Sequence, residues 1–137
     1  MEKYLGESIP KLGFGLMRLP KAADGSIDIE QVKEMVDLFL EAGGKYFDTA
    51  WGYNDGDSER AAGAALVARY PRESYFLATK LPAWCTDTEE KAKQMLADSL
   101  ERTGAEYFDF YLLHNLGKGR TEFFDRFGIW DFVKQKK

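Results

Sequence analysis

The chain has 137 residues, the size of one ordinary domain, and is long enough to bury a hydrophobic core. Hydrophobic residues make up 45% of it and charged residues 31%, a composition that argues against disorder. The net charge of −4 and the pI near 5.1 argue against a nucleic-acid binder, which usually has a basic face. We expect one domain over residues 1–137, with no second domain and no nucleic-acid partner.

The cysteine count and the length of the apolar runs indicate the cellular compartment in which the protein works. The single cysteine, Cys85, excludes an internal disulfide framework and fits a reducing cytosol. No apolar run approaches the roughly 20 residues of a membrane span, and the first ten residues lack the apolar core of a signal peptide. These features predict a soluble, cytoplasmic protein without a membrane partner.

Four apolar, strand-like runs recur along the chain at intervals of about thirty residues, the length of a strand–helix repeat. They begin at Lys11, Lys45, Tyr75 and Tyr107. The last three are rich in Tyr, Phe and Leu and alternate only partly, which is typical of strands covered on both faces. A small β-hairpin over Met1 to Pro10 is expected to precede the first strand.

The intervening segments are predicted to be helices. The first has Asp28 as N-cap and an apolar stripe, and it ends at Gly43–Gly44. The second helix is expected over about Ser58 to Arg69, with Asp57 or Ser58 as N-cap. The third begins with a capping box at Thr86–Glu89 and ends at Gly104. A short helix near Thr121 to Phe127 and a last helix from Ile129 follow.

This order describes about four βα units and implies a parallel sheet. Both an open doubly wound sheet and part of a (β/α)₈ barrel fit it. An open nucleotide-binding sheet is expected to have G-x-G-x-x-G after its first strand. The candidate, Gly13 to Arg18, lacks the third glycine, and no helix follows for a dozen residues. The pattern therefore weighs against the open sheet.

An ionisable residue closes three successive apolar strands. These residues are Asp48, Lys80 and His114, which is the only histidine. Because the carboxyl ends of parallel strands lie on one face, we expect the three to converge, with Tyr53 in the loop above them. A structural ion pair between Asp48 and Lys80 is the alternative, since buried charges are costly unless paired.

Such a set can carry out proton chemistry. A phenol has a pKa near 10, too high for efficient acid–base catalysis at neutrality, and a neighbouring lysine ammonium lowers it. A carboxylate keeps the lysine charged, and a neutral histidine can donate a hydrogen bond to a carbonyl. This describes a device that protonates a carbonyl oxygen while a cofactor delivers a hydride.

Three spaced motifs resemble the aldo-keto reductase family: "FDTAWGYNDGDSE" from Phe47, Thr79–Lys80, and "YLLH" ending at His114. The resemblance implies an NADP(H)-dependent reductase of aldehydes and ketones built on a (β/α)₈ barrel. It assigns Asp48, Tyr53, Lys80 and His114 as catalytic residues, with Tyr53 as general acid.

The resemblance also implies where the cofactor binds. Met17 and Arg18, together with Asp48, match positions that contact the cofactor. Trp51, Trp84 and Asn115 are candidates for a substrate pocket, although the tryptophans also suit a role in covering the strand ends. No metal site is expected, because one histidine and one cysteine supply too few good ligands.

Family members run to roughly twice this length, so the chain corresponds to the N-terminal half of the barrel. We expect little reductase activity from it alone. Two alternatives remain at this point. One is a non-catalytic half-barrel that binds or assembles, for instance as a homodimer through open sheet edges. The other is a redox sensor that binds the nucleotide without turnover.

Overall fold

A computed structural model describes residues 6–137. The strands are β1 (Gly13–Gly15), β2 (Tyr46–Asp48), β3 (Phe76–Leu81) and β4 (Phe110–Leu113). The helices are α1 (Ile29–Glu41), α2 (Asp57–Ala62), α3 (Glu89–Thr103), α4 (Thr121–Arg126) and α5 (Ile129–Gln135). The predicted alternation of strands and helices is confirmed.

The four strands form one parallel sheet in the order β1-β2-β3-β4. Asp48 pairs with Gly15 on one side and with Ala78 on the other, and Lys80 pairs with Leu112. Each strand therefore lies beside its neighbour in sequence, as successive βα units commonly do. The predicted parallel sheet is confirmed.

The ends of α1 and α3 follow the local signals in the sequence. The Asp28 carboxylate caps α1 by accepting a hydrogen bond of 3.1 Å from the backbone N–H of Gln31. Gly104 ends α3 with φ +67°, a left-handed conformation that glycine adopts at little cost. Both helix ends were predicted.

The starts of α2 and α3 differ from the prediction. Gly56, and not Asp57 or Ser58, precedes α2 as its N-cap. The Ser58 hydroxyl is instead buried, 2.7 Å from the Thr49 hydroxyl, and it donates a bond of 2.8 Å to the Leu16 carbonyl. In α3 the capping side chain is Thr88, because helical geometry begins only at Glu89, and the box predicted at Thr86 does not form.

The regular part of α2 is also shorter than expected. It ends at Ala62, and the chain continues as a single π-helical turn over Gly63–Val67. A Cβ atom on Gly63 would lie 2.7 Å from the Thr103 carbonyl oxygen at the end of α3. The wider turn therefore coincides with a close approach of two backbones.

The helices pack on one face of the sheet. They enclose two hydrophobic clusters, one centred on Val32, Phe47, Leu66 and Leu77 and the other on Leu81, Met95, Phe124 and Ile129. The opposite face, here called the open face, includes the large side chains of Tyr46, Phe76, Phe110 and Leu112. The Phe110 ring contacts the rings of Tyr46 and Phe76, all three are partly exposed, and Leu112 is 38% exposed. The prediction that the strands are covered on both faces is thus wrong for the described residues. Their apolar side chains pack against the helices on one face and form a partly exposed cluster of rings on the other.

An ion pair joins the sheet at the amino ends of its last two strands. The Arg72 guanidinium binds the Asp109 carboxylate at 2.6 Å and also donates to the carbonyls of Tyr75 and Tyr107. Asp109 in turn accepts a bond of 2.8 Å from the backbone N–H of Leu77. This clip lies at the end of the sheet opposite to Lys80 and His114.

Two expectations concern the chain's start and its relation to membranes. Met1–Leu5 lie outside the described residues, and within Gly6–Pro10 the structure has a turn closed by Ile9 N–H and Gly6 O at 3.0 Å. Between residues 6 and 137, no helix has both the length and the apolar character needed to cross a membrane.

Candidate active site

The centre of the site is an ion pair at the carboxyl ends of two neighbouring strands. Lys80 Nζ lies 2.5 Å from Asp48 Oδ2 and donates a second bond of 2.7 Å to the Thr49 carbonyl. Only 13% of the Lys80 side chain is exposed. These two acceptors compensate for the cost of removing the ammonium from water.

Tyr53 is brought over this ion pair by a sharp reversal of the chain. Asn54 and Asp55 have φ of +51° and +54°, and Gly56 has φ +91°. Left-handed angles at two consecutive residues with side chains are unfavourable, and Asn and Asp tolerate them best. Such strain is typical of functional loops. We call residues Trp51–Gly56 the tyrosine loop.

The phenol of Tyr53 lies within reach of the lysine ammonium. Its oxygen is 3.3 Å from Lys80 Nζ, and Nζ is 4.7 Å from the ring centroid. The ammonium therefore contacts a carboxylate, a carbonyl and a phenol at once. A cation in this position stabilises negative charge on the phenol oxygen after proton transfer.

His114 packs beside the tyrosine. The two rings meet edge to face, with centroids 5.6 Å apart and planes at 85°. Burial lowers the pKa of His114, the Lys80 ammonium lowers it further, and Asp48 opposes them. The imidazole is thus neutral at pH 7 and has one N–H to donate. Its Nδ1 is buried and has no hydrogen-bond partner within residues 6–137.

The two tryptophans predicted for a substrate pocket lie differently. Trp84 borders His114: its Nε1 donates to the His114 carbonyl at 3.0 Å, and the ring centroids are 6.1 Å apart. Trp51 turns toward α3, where its Nε1 donates to Asp98 at 3.2 Å. Both line a cleft of about 630 Å³ that also includes Met95 and Phe123.

None of the four predicted catalytic residues lines this cleft. It lies beside the site, between the loop after β3 and the first half of α3, with Trp84 separating the two. Asn115, the third predicted pocket residue, follows His114 with φ +57° and is exposed. Its carbonyl accepts a bond of 2.7 Å from Arg120.

The predicted cofactor residues Met17 and Arg18 are both exposed and follow β1 after the buried Leu16. The Asn54 side chain donates to the Met17 carbonyl at 2.9 Å and accepts from Lys21 at 3.1 Å. The segment after β1 is therefore bonded to the tyrosine loop, on the same end of the sheet as Asp48.

Sequence reasoning missed a buried polar group beneath the site. Glu59 has no exposed surface, and its sequence pattern gave it no role beyond the end of the motif. It accepts a bond of 2.6 Å from the Thr79 hydroxyl and pairs with Arg102 at 3.2 Å. A signal existed: Gly63, four residues on, lies on the same helix face, and a glycine within a helix indicates close packing there.

Comparison with known proteins places these features in a family. The model of the aldo/keto reductase family matches residues 11–135. An aldo-keto reductase of Mycolicibacterium smegmatis is 35% identical over 133 residues, 96% of this chain and 44% of that protein. Methylglyoxal reductase DkgA of Escherichia coli O157:H7 is 34% identical over 110 residues, 80% of this chain and 35% of that protein.

Solved structures agree. The holo form of an aldo-keto reductase from Bacillus halodurans superposes with a TM-score of 0.70 at 29% identity, covering 93% of this chain and 43% of that one. An aldo-keto reductase from Klebsiella pneumoniae in complex with NADPH gives 0.64 at 25% identity, covering 86% and 41%. The chain thus spans less than half the length of these relatives, and its sheet is half of a (β/α)₈ barrel. With the match over residues 11–135, the chain belongs to the aldo/keto reductase family.

Proposed function

We propose that the chain provides the proton-donating half of an NADP(H)-dependent carbonyl reductase, with Tyr53 as general acid. The observation that carries this is the contact of 3.3 Å between the Tyr53 phenol and the Lys80 ammonium, which is itself paired with Asp48 at 2.5 Å. A plain structural ion pair does not account for a phenol held at the ammonium by a strained loop. The family match supports the same assignment.

The chemistry of the exposed groups fits part of a nicotinamide cofactor. The Asp48 carboxylate is 31% exposed and offers an acceptor for a sugar hydroxyl, while the exposed Arg18 offers a cation for a phosphate. Met17, beside it, offers apolar contact. Once bound, the nicotinamide supplies the hydride that reduces the carbonyl carbon.

The residues of this chain then handle the carbonyl oxygen. Tyr53 gives its hydroxyl proton to that oxygen, and the Lys80 ammonium stabilises the phenolate that remains. Asp48 orients the Lys80 ammonium through their contact of 2.5 Å. The neutral His114 imidazole, in contact with the Tyr53 ring, donates a hydrogen bond that orients the substrate carbonyl.

NADPH oxidation with a panel of small aldehydes, methylglyoxal among them, tests the assignment. We expect slow turnover, well below that of whole-length relatives, because the chain spans only 44% of such a protein. Tyr53→Phe is expected to lower the remaining rate by about 10²- to 10⁴-fold, the usual worth of a general acid. Tyr107→Phe, at the other end of the sheet, is the matched control and is expected to leave the rate unchanged. Turnover that survives Tyr53→Phe would contradict the assignment.

The nucleotide-sensor alternative predicts binding without turnover. Titration with NADPH, followed by the fluorescence of the three tryptophans, distinguishes it. Saturable binding together with a rate that is zero for every aldehyde would favour the sensor over the reductase.

A second candidate function, assembly through the open face, is favoured by the exposure of that face. Leu112 is 38% exposed there, and the outer edges of β1 and β4 have no neighbouring strand within residues 6–137. A twofold axis parallel to the strands would pair β4 of one copy with β1 of the other and complete an eight-stranded ring. Light scattering tests this homodimer, and a monodisperse monomer at high concentration would contradict it.

A further inference from the structure

Arg102, on α3, contacts both ends of the tyrosine loop. Its Nη1 donates a bond of 2.7 Å to the Trp51 carbonyl, and its guanidinium stacks on the Trp51 ring at 4.6 Å. At the other end, a Cβ atom on Gly56 would lie 2.9 Å from Arg102 Cζ. One guanidinium therefore supports the loop on either side of Tyr53.

Glu59 connects this support to the strand that carries the lysine. Its carboxylate is fully buried, pairs with Arg102 at 3.2 Å, and accepts the Thr79 hydroxyl at 2.6 Å. Thr79 directly precedes Lys80 in β3. A buried carboxylate is strongly unfavourable without such partners, so the three groups hold one another in place.

We propose that Glu59 and Arg102 are positioning residues that hold the tyrosine loop in register with Lys80. The contact of 3.3 Å between the phenol and the ammonium joins a loop to a strand, and the two elements share these side chains beneath it. Neither residue touches substrate. The catalytic part of this inference rests on the proposed function, while its geometric part does not.

A merely structural role for the pair is the alternative, and the chain offers a matched control for it. The Arg72–Asp109 clip is also a part-buried arginine–carboxylate pair that ties β3 to β4, with side chains 12% and 19% exposed. It lies at the opposite end of the sheet. Its loss lowers stability without acting on the tyrosine loop.

The experiment compares Glu59→Gln and Arg102→Lys with Asp109→Asn. In each variant, NMR measures the nuclear Overhauser contacts between the Tyr53 and His114 rings, whose centroids are 5.6 Å apart in the structure. We expect the intensity of these contacts to fall at least about threefold in Glu59→Gln and Arg102→Lys. The Overhauser intensity decreases steeply with the distance between protons, so a displacement of the Tyr53 ring by about 1 Å suffices. The ring contacts stay unchanged in Asp109→Asn, even where the urea midpoint of this variant falls as far as that of the other two.

The aldehyde assay supplies the second readout. In Glu59→Gln and Arg102→Lys, kcat is expected to fall about tenfold or more while KM changes little, since a misplaced acid costs the chemical step. Asp109→Asn retains kcat. If the parent chain shows no turnover, the proposed function fails, and the ring contacts alone decide the positioning.

Ring contacts that persist in Arg102→Lys overturn the proposal. An equal loss of ring contacts in Asp109→Asn, at the same loss of stability as in Arg102→Lys, also overturns it. If Glu59→Gln does not fold, Arg102→Lys decides, because the Arg102 side chain is 18% exposed and the substitution keeps its charge. Persistent ring contacts with a lowered kcat also overturn it, since the loss then arises elsewhere.

Discussion

Tyr53 reaches Lys80 because the chain reverses within the three residues that follow it. Asn54 and Asp55 take left-handed angles, and the Asn54 side chain secures the turn by bonding to the Met17 carbonyl and to Lys21. Gly56 completes the turn with φ +91° and lies against Arg102. The position of one phenol thus depends on local backbone angles and on a side chain from α3.

Gly56→Ala is expected to destabilise the protein by more than its backbone angle alone explains. The left-handed angle costs about 1–2 kcal/mol for a residue with a side chain, and the new methyl group would also displace Arg102. Gly25→Ala is the matched control, since Gly25 has φ +86° but no atom within 4 Å of the new Cβ. Urea unfolding of both variants measures the difference. An equal loss of unfolding free energy in both variants would show that the Arg102 side chain moves aside at no cost.

The lowered pKa of His114 makes stability depend on pH. Burial is the main cause, Lys80 adds to it, and Asp48 opposes it. Well above pH 6.5, the ordinary value, the imidazole is neutral in both the folded and the unfolded chain, and stability does not depend on its titration. As the pH falls below that value the unfolded chain binds the proton first, so stability decreases until the folded pKa is passed.

We therefore expect the urea midpoint to fall more steeply below pH 6.5 in the parent chain than in His114→Asn. Because His114 is the only histidine, the difference between the two pH profiles isolates its titration from that of the carboxylates. Parallel profiles would mean that the imidazole titrates equally in both states.

At the scale of elements, the π-helical turn that continues α2 approaches α3 unusually closely beneath the site. The contact falls at Gly63, where a Cβ atom would meet the Thr103 carbonyl oxygen at 2.7 Å and the Arg102 carbonyl oxygen at 3.2 Å. This closeness places Glu59, one turn earlier, against Arg102. Packing of two helices thus creates the buried ion pair.

Gly63→Ala is expected to destabilise the protein, although an alanine within a helix normally stabilises it by about 0.5–1 kcal/mol relative to glycine. The sign reverses because the methyl group would push the backbone of α3 away. Ala64→Gly, at the exposed neighbouring position, measures the propensity term alone. A more stable Gly63→Ala variant in urea unfolding would contradict this packing.

At the scale of the whole molecule, the two faces of the sheet differ in what covers them. Leu113 packs against the cluster around Leu81, Phe124 and Ile129, whereas its neighbour Leu112 lies on the open face. Alternation along one strand thus separates a residue that supports the fold from one that faces outward.

Leu112→Ser and Leu113→Ser therefore form a matched pair. We expect Leu112→Ser to leave the free energy of unfolding nearly unchanged and to reduce self-association in light scattering. Leu113→Ser is expected to cost about 2 kcal/mol or more, as removal of packed leucine side chains usually does. Equal losses in urea unfolding would indicate that the open face is covered within one copy.

The sequence by itself determined the repeat of strands and helices, the parallel sheet and the residues that close its strands. Period, caps and strand ends are local signals, so Asp28, Gly104 and the series Asp48, Lys80 and His114 were readable from the chain. The family resemblance was readable for the same reason, because its motifs are contiguous.

Only the tertiary structure decided which of these residues touch and what lies under them. Glu59 is buried against Arg102, Arg102 bonds to the Trp51 carbonyl, and the Trp51 ring bonds to Asp98. Each of these contacts joins positions more than forty residues apart in the chain. Contacts of this kind arise from the packing of whole elements, which local residue patterns do not encode.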